Sequence, residues 1–196
     1  QNYGIFARGA NVRVMSNTVY GHDGISGSSP DMGIYLYRNG PVAEGNVVFG
    51  NYDGIRGGTD GYQASDVIGN RVYDNLRYGI WAYSYSDVRE NVVYSNGTGI
   101  RVGAGAYYGE VLNNLVYDNS SRGILVDTGS GTLVANNTVY QAVGDAVYVQ
   151  GSSANIQLRN NILWTDSGYA ILVTADSQVG FGSDYNLLYT TGSGQV

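Results

Sequence analysis

The sequence predicts an all-β solenoid, a rod built from stacked and similar turns of chain, and three observations support this prediction. First, 30 of the 196 residues are Gly and 19 are Tyr, while only two are Met and none is Lys. This composition is poor in helix-forming residues and rich in residues that favour strands and turns. Second, a short sequence pattern recurs along the chain. Third, apolar and polar residues alternate over short stretches, as they do in half-buried strands.

The recurring pattern consists of Asn, any residue, an apolar residue and an aromatic residue. It begins eight times, at intervals of 21 to 29 residues, at Asn17, Asn46, Asn70, Asn91, Asn114, Asn137, Asn161 and Asn186. A second pattern, a small residue followed by Ile or Val, runs in step with the first. A unit of about 23 residues holds three short strands and three turns, which is one rung of a parallel β-solenoid. We therefore predict about eight rungs, three short parallel sheets and no large helix, in a single domain over residues 1–196.

The repeat assigns structural roles to three columns of residues. We expect the eight asparagines to form a ladder in which each amide bonds those above and below, because buried polar groups must find partners. The Gly that precedes most of the Ile residues is expected to supply turn conformations. The aromatic residue that ends each pattern is expected to stack on its counterpart in the next rung. This column comprises Tyr20, Phe49, Tyr73, Tyr94, Tyr117, Tyr140, Trp164 and Tyr189.

These repeats resemble those of the right-handed parallel β-helix family, which includes pectate lyases, polygalacturonases, mannuronan C5-epimerases and NosD-like repeat proteins. The resemblance covers residues 4–189 and implies a right-handed solenoid. It also implies that the first sheet of the rungs carries a polysaccharide, as in the related enzymes. No enzyme subfamily is matched, and the fold hosts many functions.

An outward row of aromatic and arginine side chains is the predicted glycan-binding surface. Strand alternation turns the Ile of each small-Ile pair inward and the next residue outward. Aromatic rings stack on the apolar faces of sugars, and Arg binds carboxylates in bidentate geometry. Arg56 and Arg101 are expected two rungs apart, roughly 10 Å, so that they match two anionic sugars. An ordinary β-surface that binds nothing would also carry such residues. The predicted glycan-binding residues are Tyr35, Tyr37, Arg56, Trp81, Tyr83 and Arg101.

Two other functions are open alternatives: a polysaccharide lyase or epimerase acting on an anionic glycan, and a purely structural spacer. The insertions at residues 21–32 and 57–65 flank the aromatic row, which makes His22, Tyr37, Arg56 and Asp60 the candidate catalytic residues. β-Elimination needs a base and a group that neutralises the uronate carboxylate. However, the Asp-Pro-His-Glu motif of mannuronan epimerases and the paired aspartates of polygalacturonases are missing, and no Lys can act as base. His22 also fits a turn position of the repeat, two residues after the aromatic residue. The same position is occupied in the later rungs by Asn51, Asn75, Asn96, Asn119, Ala142, Asp166 and Thr191.

Charge and composition limit the partners. The net charge of −6 argues against nucleic acid, and no apolar run approaches the ~20 residues that cross a membrane. We predict an extracellular or cell-surface bacterial domain with no metal or cofactor. Turn aspartates such as Asp53, Asp60 and Asp145 could supply oxygens to calcium, although the calcium-binding nonapeptide repeat is absent. Because end rungs expose strand edges, we expect a segment of a longer protein that meets flanking domains or associates end to end.

Overall fold

The computed structural model describes residues 2–26, 29–59, 61 and 64–196, which form a parallel β-solenoid with three sheets. Each sheet contains eight parallel strands, and one turn of the solenoid separates neighbouring strands of a sheet. The predicted fold class is therefore confirmed. The chain makes about seven turns, slightly fewer than the eight rungs expected from the repeat count.

The strands alternate regularly among the three sheets. The first sheet contains β1 (Tyr3–Arg8), β6 (Met32–Tyr37), β9 (Asp53–Gly57), β12 (Tyr78–Ser84), β15 (Thr98–Tyr107), β18 (Arg122–Gly129), β21 (Asp145–Gln150) and β24 (Ile171–Val173). The second contains β2 (Arg13–Met15), β7 (Val42–Glu44), β10 (Val67–Ile68), β13 (Val88–Arg89), β16 (Glu110–Leu112), β19 (Leu133–Ala135), β22 (Gln157–Arg159) and β25 (Gly182–Asp184). The third contains β3 (Thr18–Tyr20), β8 (Val47–Phe49), β11 (Arg71–Tyr73), β14 (Val92–Tyr94), β17 (Leu115–Tyr117), β20 (Thr138–Gln141), β23 (Ile162–Tyr169) and β26 (Leu187–Gln195).

Two small elements lie outside this arrangement. Strands β4 (Ile25–Ser26) and β5 (Ser29–Pro30) form an antiparallel pair within the first insertion. A single 3₁₀ turn, Ala175–Ser177, follows the last strand of the first sheet. Among the residues that the structure describes, no helix is long and apolar enough to cross a membrane.

The core is a set of apolar columns that run along the rod, one on the inner face of each sheet. Ile80, Val88 and Val93 are the contributions of one rung, and all three are fully buried. Parallel pairing places each of them against its equivalent in the next rung, as Ile80 pairs with Ile100 and Val93 with Val116. β-Branched side chains suit this packing because they are stiff and fill the pleated surface.

The eight repeat asparagines form an unbroken ladder at the corner between the second and third sheets. Each side-chain amide donates to the Oδ1 of the next Asn, from Asn17–Asn46 at 3.1 Å to Asn161–Asn186 at 2.9 Å. The same Oδ1 also accepts the backbone N–H of the preceding Asn, as Asn137 accepts that of Asn114 at 3.0 Å. Side chains in the interior of the ladder are almost fully buried. The ladder therefore satisfies polar groups that water does not reach.

A second amide ladder, which the sequence analysis treated only as a turn position, runs at the corner between the third and first sheets. Asn51, Asn75, Asn96 and Asn119 are linked by Nδ2–Oδ1 bonds of 2.9–3.1 Å. Gln141 continues the ladder, because its Oε1 accepts the N–H of Asn119 at 2.9 Å. The repeat offset pointed to Ala142 at this place. The longer Gln side chain takes the position from one residue earlier.

The glycine before each inward Ile is required by close packing, and the expected turn role is wrong for it. Gly79 lies inside β12 and does not have the positive φ that favours glycine. A Cβ on Gly79 would come within 2.7 Å of the Gly99 carbonyl oxygen and 2.8 Å of Asn96 Nδ2. The second amide ladder therefore lies directly against this strand, and only a small residue fits at the position of Gly79.

We expect the interior of the first ladder to be far more sensitive to substitution than its end. Asn114→Ala removes the acceptor of Asn91 and leaves the Val88 carbonyl without its donor, both in buried surroundings. Since each unsatisfied buried group costs about 1–3 kcal/mol, the free energy of unfolding should fall by about 3 kcal/mol or more. Asn17→Ala is the control, because this half-exposed end residue accepts no bond from another Asn and should cost about 1 kcal/mol. Urea unfolding measures both, and equal losses would contradict the ladder's role.

Asp66 gives the stability of the fold a specific pH dependence. Burial raises the pKa of Asp66 above its ordinary value of 3.8, and the neighbouring carboxylate of Asp87 adds to this effect. The folded protein therefore binds more protons than the unfolded chain above pH 3.8, so the contribution of Asp66 to stability is present at low pH and is lost as pH rises through the folded pKa. The difference in unfolding free energy between the wild type and Asp66→Asn should shift in favour of the wild type as pH falls. If urea unfolding at pH values below and above the folded pKa gives the same difference in unfolding free energy between the two proteins, the assignment is contradicted.

Candidate functional site

The outward face of the first sheet carries a central column in which arginines and aromatic residues alternate. Strand register places Tyr35 beside Arg56, Arg56 beside Trp81 and Trp81 beside Arg101. Leu125 and Tyr148 continue the column in the next two rungs. Arg56 and Arg101 thus lie two rungs apart, as the sequence analysis expected.

Arg56 is held by three aromatic rings. Its guanidinium carbon lies 4.9 Å from the centroid of Tyr35, 4.9 Å from that of Trp81 and 4.5 Å from that of Tyr83. Such cation–π contacts contribute about 0.5–2 kcal/mol each, depending on exposure. They fix the guanidinium in place without neutralising its charge. Arg56 itself is partly exposed at the surface of the sheet.

The aromatic residues around Arg56 offer little open face for sugar stacking, and their predicted role in glycan binding stays a prediction. Tyr35 is only 7 % exposed and Tyr83 only 4 %. Trp81 has Arg56 on one side and, at 4.8 Å, the guanidinium carbon of Arg101 on the other. Its Nε1 also donates to the Gly103 carbonyl at 3.0 Å. These rings orient arginines and leave little surface for a ligand.

Three neighbouring arginines are paired with carboxylates of the same sheet. Arg77 binds Asp53 through two bonds of 2.9 and 2.5 Å, and the Asp53 side chain is completely buried. Arg101 donates to Asp127 at 2.6 Å and to the Tyr78 hydroxyl at 2.5 Å. Arg122 lies 3.9 Å from Asp145. Arg101 is therefore paired within the sheet, and the binding of two anionic sugars by Arg56 and Arg101 stays a prediction.

Arg56 differs from these three because no described carboxylate forms an ion pair with it. Its Nε is buried and has no hydrogen-bond partner among the described residues, a feature that it shares with Arg101 and Arg122, so the missing carboxylate is what sets Arg56 apart. The predicted Asp60 lies outside the residues that the structure describes. Within the described part of the sheet, Arg56 presents a positive charge that the fold positions but does not pair.

Tyr37 extends this face toward the first rung. It is half-buried, and its ring contacts Phe6 and Tyr35 at centroid distances of 5.6 and 5.5 Å. The guanidinium carbon of the exposed Arg8 lies 5.7 Å from the Tyr37 centroid. Phe6 is 49 % exposed and is the most open aromatic residue at this end of the sheet.

His22 lies in a separate cleft of about 630 Å³ beside the first rung. The lining includes Tyr3, His22 and Asp31, together with glycines of the first insertion. Asp31 is buried and accepts the backbone N–H of Asn2 at 2.8 Å. Neither Tyr37 nor Arg56 lines this cleft, so the structure does not bring His22 together with these two predicted catalytic residues.

Tyr3 connects the cleft to the face of the first sheet, and the sequence analysis missed it. Its ring lies 5.3 Å from that of Tyr35. Burial raises the pKa of Tyr3, the positive charge of Arg56 opposes the rise, and the charge of Asp31 adds to it. Tyr3 thus responds electrostatically to both sites. Tyr3 is the first residue of β1 and pairs with Met32, and this place at the start of the first sheet is the feature that could have identified it.

The position of His22 agrees with a structural role at the repeat corner. Its backbone N–H donates to Asn51 Oδ1 at 3.2 Å, so His22 stands at the head of the second amide ladder. Its Nε2 lies 2.9 Å from where a Cβ on Gly4 would be, as Asn51 Nδ2 does for Gly33 in the next rung. Packing within the repeat explains this placement without a catalytic role.

The turn aspartates considered for calcium are engaged elsewhere or outside the described residues. Asp53 and Asp145 face Arg77 and Arg122, and Asp60 is not described. Among the described residues, no cluster of three or more His, Cys, Asp or Glu could hold a metal ion.

With this geometry established, the chain can be assigned to a family: it belongs to the right-handed β-helix proteins. The family model described as "Right handed beta helix region" matches residues 1–139 and, in a second overlapping match, residues 53–184. Comparison with curated proteins gives no significant match.

Several solved structures share the fold. The mannuronan C-5 epimerase AlgE6 A-module of Azotobacter vinelandii has a TM-score of 0.59 at 16 % identity, covering 95 % of this chain and 71 % of that module. The AlgE4 A-module of the same organism has a TM-score of 0.58 at 14 % identity, covering 100 % and 76 %. The periplasmic alginate epimerase AlgG has a TM-score of 0.56 at 16 % identity; the match covers 80 % of this chain and 47 % of AlgG, so the chain spans about half of that protein. At these identities the likeness concerns the fold alone.

We expect the buried Arg77–Asp53 pair to stabilise the first sheet strongly. Asp53→Asn leaves the Arg77 guanidinium against an uncharged buried group, which typically costs 3–5 kcal/mol. Because the Arg77 side chain is 32 % exposed, water compensates in part, and a loss of about 2 kcal/mol is expected. Glu44→Gln breaks the exposed Arg13–Glu44 pair and should cost less than about 0.5 kcal/mol. Urea unfolding of the two variants measures the difference, and similar losses would contradict it.

Proposed function

We propose that this protein is an extracellular polysaccharide-binding domain that binds an anionic glycan on the outward face of the first sheet. The observation that carries the proposal is Arg56, whose charge is positioned by three aromatic rings and has no described carboxylate partner. Arg77, Arg101 and Arg122 nearby all face carboxylates. An unpaired, oriented guanidinium beside paired ones favours an external anion as its partner.

The exposed Arg8 supplies a second cation on the same face. It lies in β1, two rungs from Arg56 in β9, or roughly 10 Å along the rod. This spacing takes the place of the Arg56–Arg101 pair that the sequence suggested. An extended polyanion lying along the rod from Arg8 to Arg56 would pass Phe6 and Tyr37, whose partly exposed rings offer apolar contact.

A uronate-containing polysaccharide is the anion that the proposal names. Its carboxylates repeat along an extended chain, and Arg binds carboxylates in a planar, bidentate geometry. The net charge of −6 disfavours nucleic acid, whose binding needs many clustered cations. The fold shared with alginate epimerases supports this choice of polymer, and the periplasmic location of one of them supports an extracytoplasmic site of action.

Arg56→Gln should weaken retention in affinity electrophoresis through gels that contain alginate or polygalacturonate. We expect an apparent affinity about ten-fold lower or less, equivalent to 1.4 kcal/mol, because an oriented charge that no described carboxylate neutralises is lost. Trp81→Ala should weaken retention by a similar factor, since Trp81 holds the Arg56 guanidinium in place. Arg8→Gln should give a smaller loss.

Arg13→Gln is the matched control for this experiment. It removes the same charge, but Arg13 lies in β2 of the second sheet and already pairs with Glu44. If Arg13→Gln and Arg56→Gln reduce retention equally, binding is a general charge effect and the first sheet is not the site. If the wild-type protein is not retained by any anionic polysaccharide, the spacer function takes the place of the proposal.

A lyase or epimerase is the second candidate function, favoured by the cleft that contains His22, Tyr3 and Asp31 and adjoins the first sheet through Tyr35. Lyase activity would release unsaturated uronates that absorb ultraviolet light, and epimerase activity would change the proton NMR spectrum of the polymer without cleavage. Both assays are run with and without calcium. His22→Ala should abolish either signal, and the absence of both signals from the wild type excludes this function.

A further inference from the structure

The outward face of the third sheet carries an aromatic column whose geometry changes along the rod. From Tyr20 to Tyr117 four consecutive ring pairs stack at centroid distances of 4.8–5.2 Å, with interplanar angles of 3–10°. These rings cover one another's faces. The parallel stack ends at Tyr117, and in the seventh rung Trp164 is tilted by 58° from Tyr140 and by 79° from Tyr189. Trp164 is 40 % exposed and Tyr189 is 52 % exposed.

Hydrogen bonds to one carboxylate hold this arrangement. Asp166 Oδ1 accepts from Trp164 Nε1 at 2.9 Å and from the Thr191 hydroxyl, and its Oδ2 accepts from the Tyr140 hydroxyl at 2.8 Å. Alternation along β23 places Trp164 and Asp166 on the same outward face. The bonds from Thr191, Tyr140 and Trp164 lower the pKa of Asp166, which is therefore ionised at neutral pH. The indole is fixed by a charged and accessible anchor.

We propose that Trp164, Tyr189 and Asp166 form a second carbohydrate-binding site, which takes an uncharged pyranose unit of a neutral polysaccharide. An indole face that no parallel ring covers suits stacking against the apolar face of a sugar. Asp166 Oδ2 accepts one bond within the protein and has capacity for a sugar hydroxyl. The exposed Ile162 and Leu187 flank the rings and enlarge the apolar platform.

The charge at this site selects against the ligand proposed for the first sheet. The charged group in contact with Trp164 is the negative carboxylate of Asp166, and no described guanidinium lies over the indole. A uronate would meet the negative charge of Asp166, whereas an uncharged sugar would not. A protein partner that covered the patch would have to bury the ionised Asp166, which is costly without a donor. A sugar brings its own hydroxyl donors, so the neutral glycan is the better fit.

The two tryptophans of the chain allow a direct test. In the Trp81→Phe variant, Trp164 is the remaining tryptophan, and its emission should shift to shorter wavelength and saturate as cello-, manno- or xylo-oligosaccharides are added. In affinity electrophoresis through hydroxyethylcellulose, galactomannan or xylan, Trp164→Ala should lower the affinity at least ten-fold. Retention of Trp164→Ala by alginate should be unchanged, because that ligand is assigned to the first sheet.

Tyr94→Ala is the matched control, because Tyr94 belongs to the same column but both its faces are covered by Tyr73 and Tyr117. It should leave retention by neutral polysaccharides unchanged. The proposal is overturned if the wild type is not retained by any of the uncharged polymers, or if Trp164→Ala and Tyr94→Ala behave alike. Arg56→Gln should weaken retention only in gels that contain an anionic polysaccharide. A failure of the anionic-glycan proposal is therefore distinguishable from a failure of the neutral-glycan proposal.

Discussion

The structure depends on one constraint: each rung must lie in register on the next, so that every side chain meets its own equivalent. Parallel pairing at a spacing of about 4.8 Å leaves no freedom in this respect. Apolar columns satisfy the constraint by packing, and amides satisfy it because Asn can donate to and accept from another Asn. The tight contact between Gly79 and Asn96 shows how little space remains once both are in place.

The same constraint creates a difficulty for charged residues, since an arginine stacked on an arginine would repel it. On the first sheet the difficulty is resolved by alternation, because Arg56 and Arg101 are separated by Trp81. Carboxylates on neighbouring strands then neutralise most of the positive charge, as Asp127 does for Arg101. Arg56 stands apart because aromatic rings hold it while no described carboxylate neutralises it. The proposed anion site is therefore a local departure from the rule that organises the rest of the face.

Aromatic residues have different roles on the outward faces of the first and third sheets. On the first sheet, Trp81 is covered by guanidinium groups and acts as a support for charge. On the third sheet, rings from Tyr20 to Tyr117 cover one another, whereas Trp164 lies beyond this stack and its indole nitrogen is bonded to Asp166. The proposed anionic and neutral glycan sites follow from this difference in ring coverage.

The sequence by itself determined the solenoid, the strand that each repeat residue occupies and the eight-residue asparagine ladder. This was possible because residues that lie one repeat apart in the sequence are neighbours in adjacent rungs. It also identified the column that contains Arg56, Trp81 and Arg101, since alternation settles which side chains face outward. The tertiary structure alone decided which of those arginines is paired, because the partner, such as Asp127 for Arg101, comes from a different column and a different repeat. It likewise decided that Gln141 takes the place expected for Ala142, and that no parallel ring covers Trp164 whereas guanidinium groups cover Trp81. These features depend on contacts between unlike residues in successive rungs, which a repeat pattern does not encode.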